Sequence, residues 1–164
     1  MGNFITDLKK GKEMEVRVMN LLNSNWFNLI QNPIEKEMDL LYNQDKSLGI
    51  EVKFDSYAQH SWNFYIEFEC NWKPSWLLRE ESVELEYWAH SDWVRVFLIK
   101  WDKLMQRVLG WVEKCRANKT NKHKQFRVVE NWGNWGRTKW LLVPVEMLES
   151  ISDFVYTLEW VEQY

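Results

Sequence analysis

Met38-Asp39-Leu40-Leu41-Tyr42 and Leu48-Gly49-Ile50-Glu51-Val52-Lys53-Phe54-Asp55 flank the polar stretch Asn43-Gln44-Asp45-Lys46-Ser47. The outer runs read as strands, and the polar centre with Gly49 close behind suits a hairpin loop. Strand side chains alternate between faces, so Ile50, Val52 and Phe54 share one face while Glu51, Lys53 and Asp55 share the other. The hairpin brings Asp39, expected within the first strand, alongside them. Two carboxylates and an ammonium on one sheet face suit metal-assisted phosphodiester hydrolysis. Carboxylate oxygens hold Mg²⁺, which polarises the phosphate and acidifies water, and a lysine orients that water or offsets developing charge.

Upstream, residues 4 to 23 have helical periodicity. Phe4, Leu8, Gly11, Glu15, Val18 and Leu22 fall on one stripe, with Met14, Met19 and Leu21 at its flanks. Glu15 is the exception on this apolar stripe. A carboxylate turned toward a core needs a partner, and the Lys53 site with its metal would supply one. Trp26 to Ile30 reads as a short strand, and Asn32-Pro33 as a turn.

Downstream, Trp62 to Glu69 alternates as a half-buried strand, with Asn63, Tyr65 and Glu67 on the polar face. Pairing with Glu51 to Asp55 would make the polar faces coincide. Pro74 to Trp88 reads as an irregular excursion followed by a strand, and Trp93 to Trp101 as a buried strand. Asp102 is the expected N-cap of a helix from Lys103 to about Arg116. Phe126 to Val129 and Trp140 to Val143 are expected strands around the Gly133 and Gly136 turn, and Pro144 opens a short helix. This order predicts an α/β (α+β) sandwich with a mixed sheet. No repeat or linker divides the chain, so residues 1–164 read as one domain.

Composition narrows the function class. No run approaches the ~18 apolar residues of a membrane span, and the amino terminus lacks a secretory layout. Gly2 and Thr6 loosely fit a myristoylation pattern, while Phe4 and Ile5 have a simpler use on a helix. Cys70 and Cys115 are too few and too far apart for a disulfide framework or a zinc site, and a cytoplasmic setting is expected. His60, His90 and His123 lack ligand spacing and read as surface or packing residues. There is no Gly-rich phosphate loop. Net charge is −3, yet Lys114, Arg116, Lys119, Lys122, Lys124 and Arg127 form an acid-free basic run suited to phosphate backbones. Alone, that run would read as a solvated loop. Twelve Trp residues serve packing first and base stacking second.

Asp39, eleven intervening residues and then Glu51-Val52-Lys53 resemble the PD-(D/E)xK nuclease superfamily. Its members include restriction endonucleases, archaeal Holliday-junction resolvases and many phage recombination nucleases. Gly11-x-x-x-Glu15 resembles the first-helix setting of the resolvase-like members. Ser61-Trp62-Asn63 leading to Glu67 is similar to the Thr-Gly-Asn turn and acid-ended strand of phage nucleases, with Trp in place of Gly. Usable motifs span residues 4 to 70, with a weaker echo at Leu142-Val143-Pro144.

The resemblance implies a restriction-endonuclease-like mixed β-sheet flanked by helices, and a Mg²⁺- or Mn²⁺-dependent deoxyribonuclease, an endonuclease of phage or recombination type. Asp39, Glu51 and the Val52 carbonyl would be metal ligands, with Lys53 positioning the water. Glu15 would assist through a water or second metal, and Asn63 and Glu67 would support the ligands from behind. Products would carry 5′-phosphate and 3′-hydroxyl ends. DNA is the expected partner, a homodimer would suit two-strand cutting, and a phage-encoded chain would act in host cytoplasm. Two rivals stand beside this: a catalytically inactive nucleic-acid- or partner-binding module, and an RNA-directed nuclease sharing the same phosphate chemistry.

Overall fold

A computed structural model describes residues 4–34, 38–78, 85–117, 126–133 and 136–158. Helix α1 (Phe4–Ser24) opens the chain. Its inward stripe is Met14, Val18 and Leu22, all buried, while Leu8 is exposed. Leu8 thus lies off the buried stripe on which it was expected, and Met14 belongs to the core rather than its flank. Trp26 then adopts a left-handed φ of 66° and is exposed. The chain is still turning there, so strand β1 covers Leu29–Gln31 rather than Trp26 to Ile30.

The hairpin forms between β2 (Leu40–Tyr42) and β3 (Gly49–Phe54), with Leu40 opposite Ile50 and Leu41 opposite Gly49. Its loop is held by Asp45 Oδ1, which accepts the Ser47 backbone N–H at 3.0 Å and hydroxyl at 2.6 Å. Such Asx geometry replaces ladder bonds lost in the turn. Asp39 lies one residue before β2 rather than within it.

After β3 come α2 (Ala58–Ser61), β4 (Asn63–Cys70), β5 (Lys73–Pro74) and a 3₁₀ turn at Trp76–Leu78. Strands β6 (Leu85–Ser91) and β7 (Arg95–Lys100) lead to helix α3 (Trp101–Ala117). The helix begins before the expected cap, so Asp102 sits in its first turn. Strands β8 (Arg127–Gly133) and β9 (Gly136–Pro144), helix α4 (Val145–Ile151) and strand β10 (Phe154–Thr157) follow.

These strands build two sheets, giving a mixed α/β architecture. The first has order β1-β2-β3-β6-β7-β10, the second β5-β4-β9-β8. Among the described residues only β3 and β6 run parallel; the other pairs are antiparallel. The expected pairing of β4 with β3 does not occur. Both edges of β3 are taken, by β2 and β6, so β4 pairs with β5 and β9 instead.

Alternation along β3 decides the layering. Ile50 and Val52 share one core with Met14, Val18 and Leu22 of α1, and with Ala89 and Leu98. The opposite face of the first sheet contributes Trp88, Phe97 and Ile99 to a second core, with Phe64, Ile66 and Leu141 of the other sheet. Helices α3 and α4 complete that core through Leu104, Val108 and Leu148. Among the described residues no helix is long and apolar enough to cross a membrane.

Candidate active site

The site grows from the mouth of the β2–β3 hairpin. Continuing the register by one residue sets Asp39 opposite Glu51. Asp39 Oδ2 accepts the Val52 backbone N–H at 2.8 Å, supplying the bond a longer β2 would have made. In a strand a residue's N–H and C=O leave on the same edge, so the Val52 carbonyl also emerges beside Asp39.

Glu51 is 5% exposed. Its Oε1 accepts a hydrogen bond from the Lys53 ammonium, while Oε2 is buried with no hydrogen-bond partner among the described residues. Burial pushes the Glu51 carboxyl up to about 7; Lys53 opposes this, and the charges of Asp39 and Glu15 add to it. Burial would lower the Lys53 ammonium, but Glu51 and Asp39 outweigh it and hold it above the ordinary lysine value. The Lys53 side chain as a whole is about half exposed, at 48%.

Glu15 approaches from α1. It is 9% exposed and accepts a hydrogen bond from Lys12 at 3.1 Å. Burial raises its pKa first and Asp39 second, against the lowering effects of Lys12 and Lys53. The carboxylates of Glu15, Asp39 and Glu51 thus act on one another, with Lys53 the shared countercharge. This is the constellation read from helical phase and strand alternation, with Lys12 as an additional partner for Glu15.

Asp39, Glu51 Oε2 and the Val52 carbonyl suit a hard divalent cation, which favours oxygen ligands. An anionic oxygen buried without a donor is costly unless something compensates it, and a cation here would do so. Among the described residues no three Asp, Glu, His or Cys side chains are grouped for a metal ion. The set a cation could draw on here would be two carboxylates and a carbonyl. Mg²⁺ sites often have this sparse form, since the ion keeps several waters and takes further ligands from substrate phosphate.

The two supporting residues read from sequence, Glu67 and Asn63, part company. Glu67 lies on the wall of a cleft that opens beside Lys53, and its charge helps hold the lysine protonated. Asn63 is spent locally: its amide donates to the Ser61 carbonyl at 2.6 Å, closing the turn after α2. Asp55 holds the two sheets together here, accepting the N–H groups of Tyr57 at 2.9 Å and Tyr65 at 3.2 Å.

The cleft has a volume of about 550 Å³ and runs between β3 and β6 on one side and β4 and β9 on the other. Tyr57, Tyr65, Trp88, His90 and Trp140 line it together with Lys53. His90 is 2% exposed; neither ring nitrogen has a hydrogen-bond partner among the described residues. Burial, aided by Lys53, lowers its pKa to about 3 and keeps the ring neutral. As expected it is a packing histidine, its ring against Phe64 and Trp88; sequence alone does not show its place opposite Lys53 in the β3–β6 register. Alternation gives a signal only once that pairing is known.

Of the basic run, Lys114 and Arg116 occupy the last turn of α3. Arg116 and Arg127 line a separate, smaller depression near Cys115 and Lys139. Lys119, Lys122 and Lys124 lie outside the described residues. Both cysteines are free thiols.

Fold and site together define a mixed α/β protein with a buried carboxylate–lysine cluster at a hairpin mouth. Comparison with protein-family models, curated proteins and solved structures found no match.

Proposed function

We propose that the chain is a divalent-metal-dependent nuclease acting on DNA phosphodiester bonds. The observation that carries this is Glu51 Oε2, buried without a hydrogen-bond partner among the described residues, on a carboxylate set opposite Asp39 by the hairpin register, with Asp39 bonded to the Val52 N–H. Asp39, Glu51 and the Val52 carbonyl would hold Mg²⁺ or Mn²⁺. When bound, the ion supplies Lewis-acid charge to the phosphate and makes water a stronger nucleophile at neutral pH.

The chain's own residues do the rest. The Lys53 ammonium, anchored by Glu51, is positioned to orient a water and offset charge growing on phosphate oxygens. Glu15 adds negative potential behind the site and helps retain the cation. Asp39 holds the strand end in register through Val52, so one carboxylate links geometry to ligation. Lys114, Arg116 and Arg127 offer sequence-independent contacts to the phosphate backbone.

Cleavage of duplex, single-stranded and branched DNA should appear with Mg²⁺ or Mn²⁺ and vanish with EDTA. Mapped ends should carry 5′-phosphates. Equal cleavage with and without chelator would refute the metal-dependent reading.

A further inference from the structure

The cleft beyond Lys53 is not needed to hold a metal or to attack a phosphate, and its lining is unusual for a solvent groove. Tyr57, Tyr65, Trp88 and Trp140 supply four aromatic side chains around about 550 Å³, ample room for a single nucleobase but not for a duplex. Aromatic faces stack on any base, whatever its sequence. Trp88 Nε1 and both His90 nitrogens are buried without hydrogen-bond partners among the described residues, and both residues line the cleft. Buried polar atoms are nearly always satisfied. A neutral histidine has one donor and one acceptor, and an indole adds a donor, which matches the mixed edge of a base.

We infer that this cleft receives one unstacked base of the strand whose phosphate lies at Lys53. The inference rests on the nuclease reading for the phosphate's position, but not for the base-binding chemistry. An unstacked base is available where a strand is single, frayed or branched, because extruding it from a duplex costs stacking and pairing energy. The occupant is therefore an unpaired nucleotide in a nucleic-acid strand. Tyr57, exposed at the mouth and stacked on His60, would close over it.

The test uses the Asp39→Asn protein, so that DNA is not consumed, and a fluorescently labelled single strand with an abasic nucleotide placed at each position in turn. Removal of the base at one position should weaken binding about tenfold or more, with little effect elsewhere. Tyr57→Ala should weaken the intact strand by a similar factor and leave the strand abasic at that position unchanged. His90→Phe should behave alike; Tyr57, being at the surface, keeps the test valid if that buried variant fails to fold. Uniform effects of abasic placement, equal loss by Tyr57→Ala on intact and abasic strands, or no binding to either, would each overturn the inference. Wild-type cleavage without this coupling would sink the base pocket and leave the nuclease reading standing. The coupling without any cleavage would do the reverse.

Discussion

At Glu51 the proposed ligand role runs against stability. Its carboxyl is held at about 7, chiefly by burial, whereas the unfolded chain titrates near the ordinary glutamate value. Between these values the folded protein keeps a proton that the unfolded chain has lost. Stability without metal therefore falls as pH rises through this window and stays low above it. Glu51→Gln should then stabilise the metal-free protein at pH 8 by roughly 1–3 kcal/mol, with the gain shrinking below pH 5. Urea denaturation in EDTA at both pH values measures this. A uniform loss of stability in the variant would contradict it. Asp39→Asn should act differently, because an asparagine carbonyl can still accept the Val52 N–H. Stability should change by less than about 1 kcal/mol, while metal-dependent activity is lost.

At the scale of elements, the hairpin positions the site and Gly49 sets how closely its strands approach. A Cβ at Gly49 would collide with the Leu40 carbonyl oxygen and the Met38 side chain. A backbone oxygen cannot swing aside, so Gly49→Ala should push β2 from β3 and carry Asp39 away from Glu51. A loss of about 1–3 kcal/mol should accompany a fall in activity, read by thermal melting and cleavage rate on the same preparation. Asp55 does comparable work between sheets, through its bonds to Tyr57 and Tyr65. Asp55→Ala should cost about 1–3 kcal/mol by leaving those donors unmatched.

These elements also mark where sequence reading succeeds and where it stops. The hairpin, the faces of β3 and the inward position of Glu15 depend on local periodicity. They are legible because the partners are close in sequence or share one helix face. The parallel β3–β6 pair joins residues more than thirty positions apart, and no local pattern announces it. Strand β4 shows the same limit: its alternation is legible in the sequence, while its partners β5 and β9 are not. Strand β10 has mostly exposed side chains, leaving no apolar period to read. His90 was hidden because one histidine in an apolar strand has no spacing signature.

For the molecule as a whole, the candidate site lies on the first sheet, with α1 packed on one face and the second sheet on the other. The orphaned Glu51 oxygen and the mutually repelling acids make the metal-free state carry a cost that a divalent cation should relieve. Mg²⁺ or Mn²⁺ should therefore raise the melting temperature, more at pH 8 than at pH 5, because cation and proton compete for Glu51. The shift should disappear in Asp39→Asn. Calorimetry across the two pH values checks the linkage, and a metal effect independent of both pH and Asp39 would place the ion elsewhere.

The central claim is chemical, and its most direct test is the initial rate of Mg²⁺- or Mn²⁺-dependent DNA cleavage. Wild type, Asp39→Asn and Lys53→Ala would be compared after circular dichroism has shown all three folded. Each variant should lose about a hundredfold or more in rate. Full activity in both would contradict the assignment of phosphodiester hydrolysis to Asp39, Glu51 and Lys53.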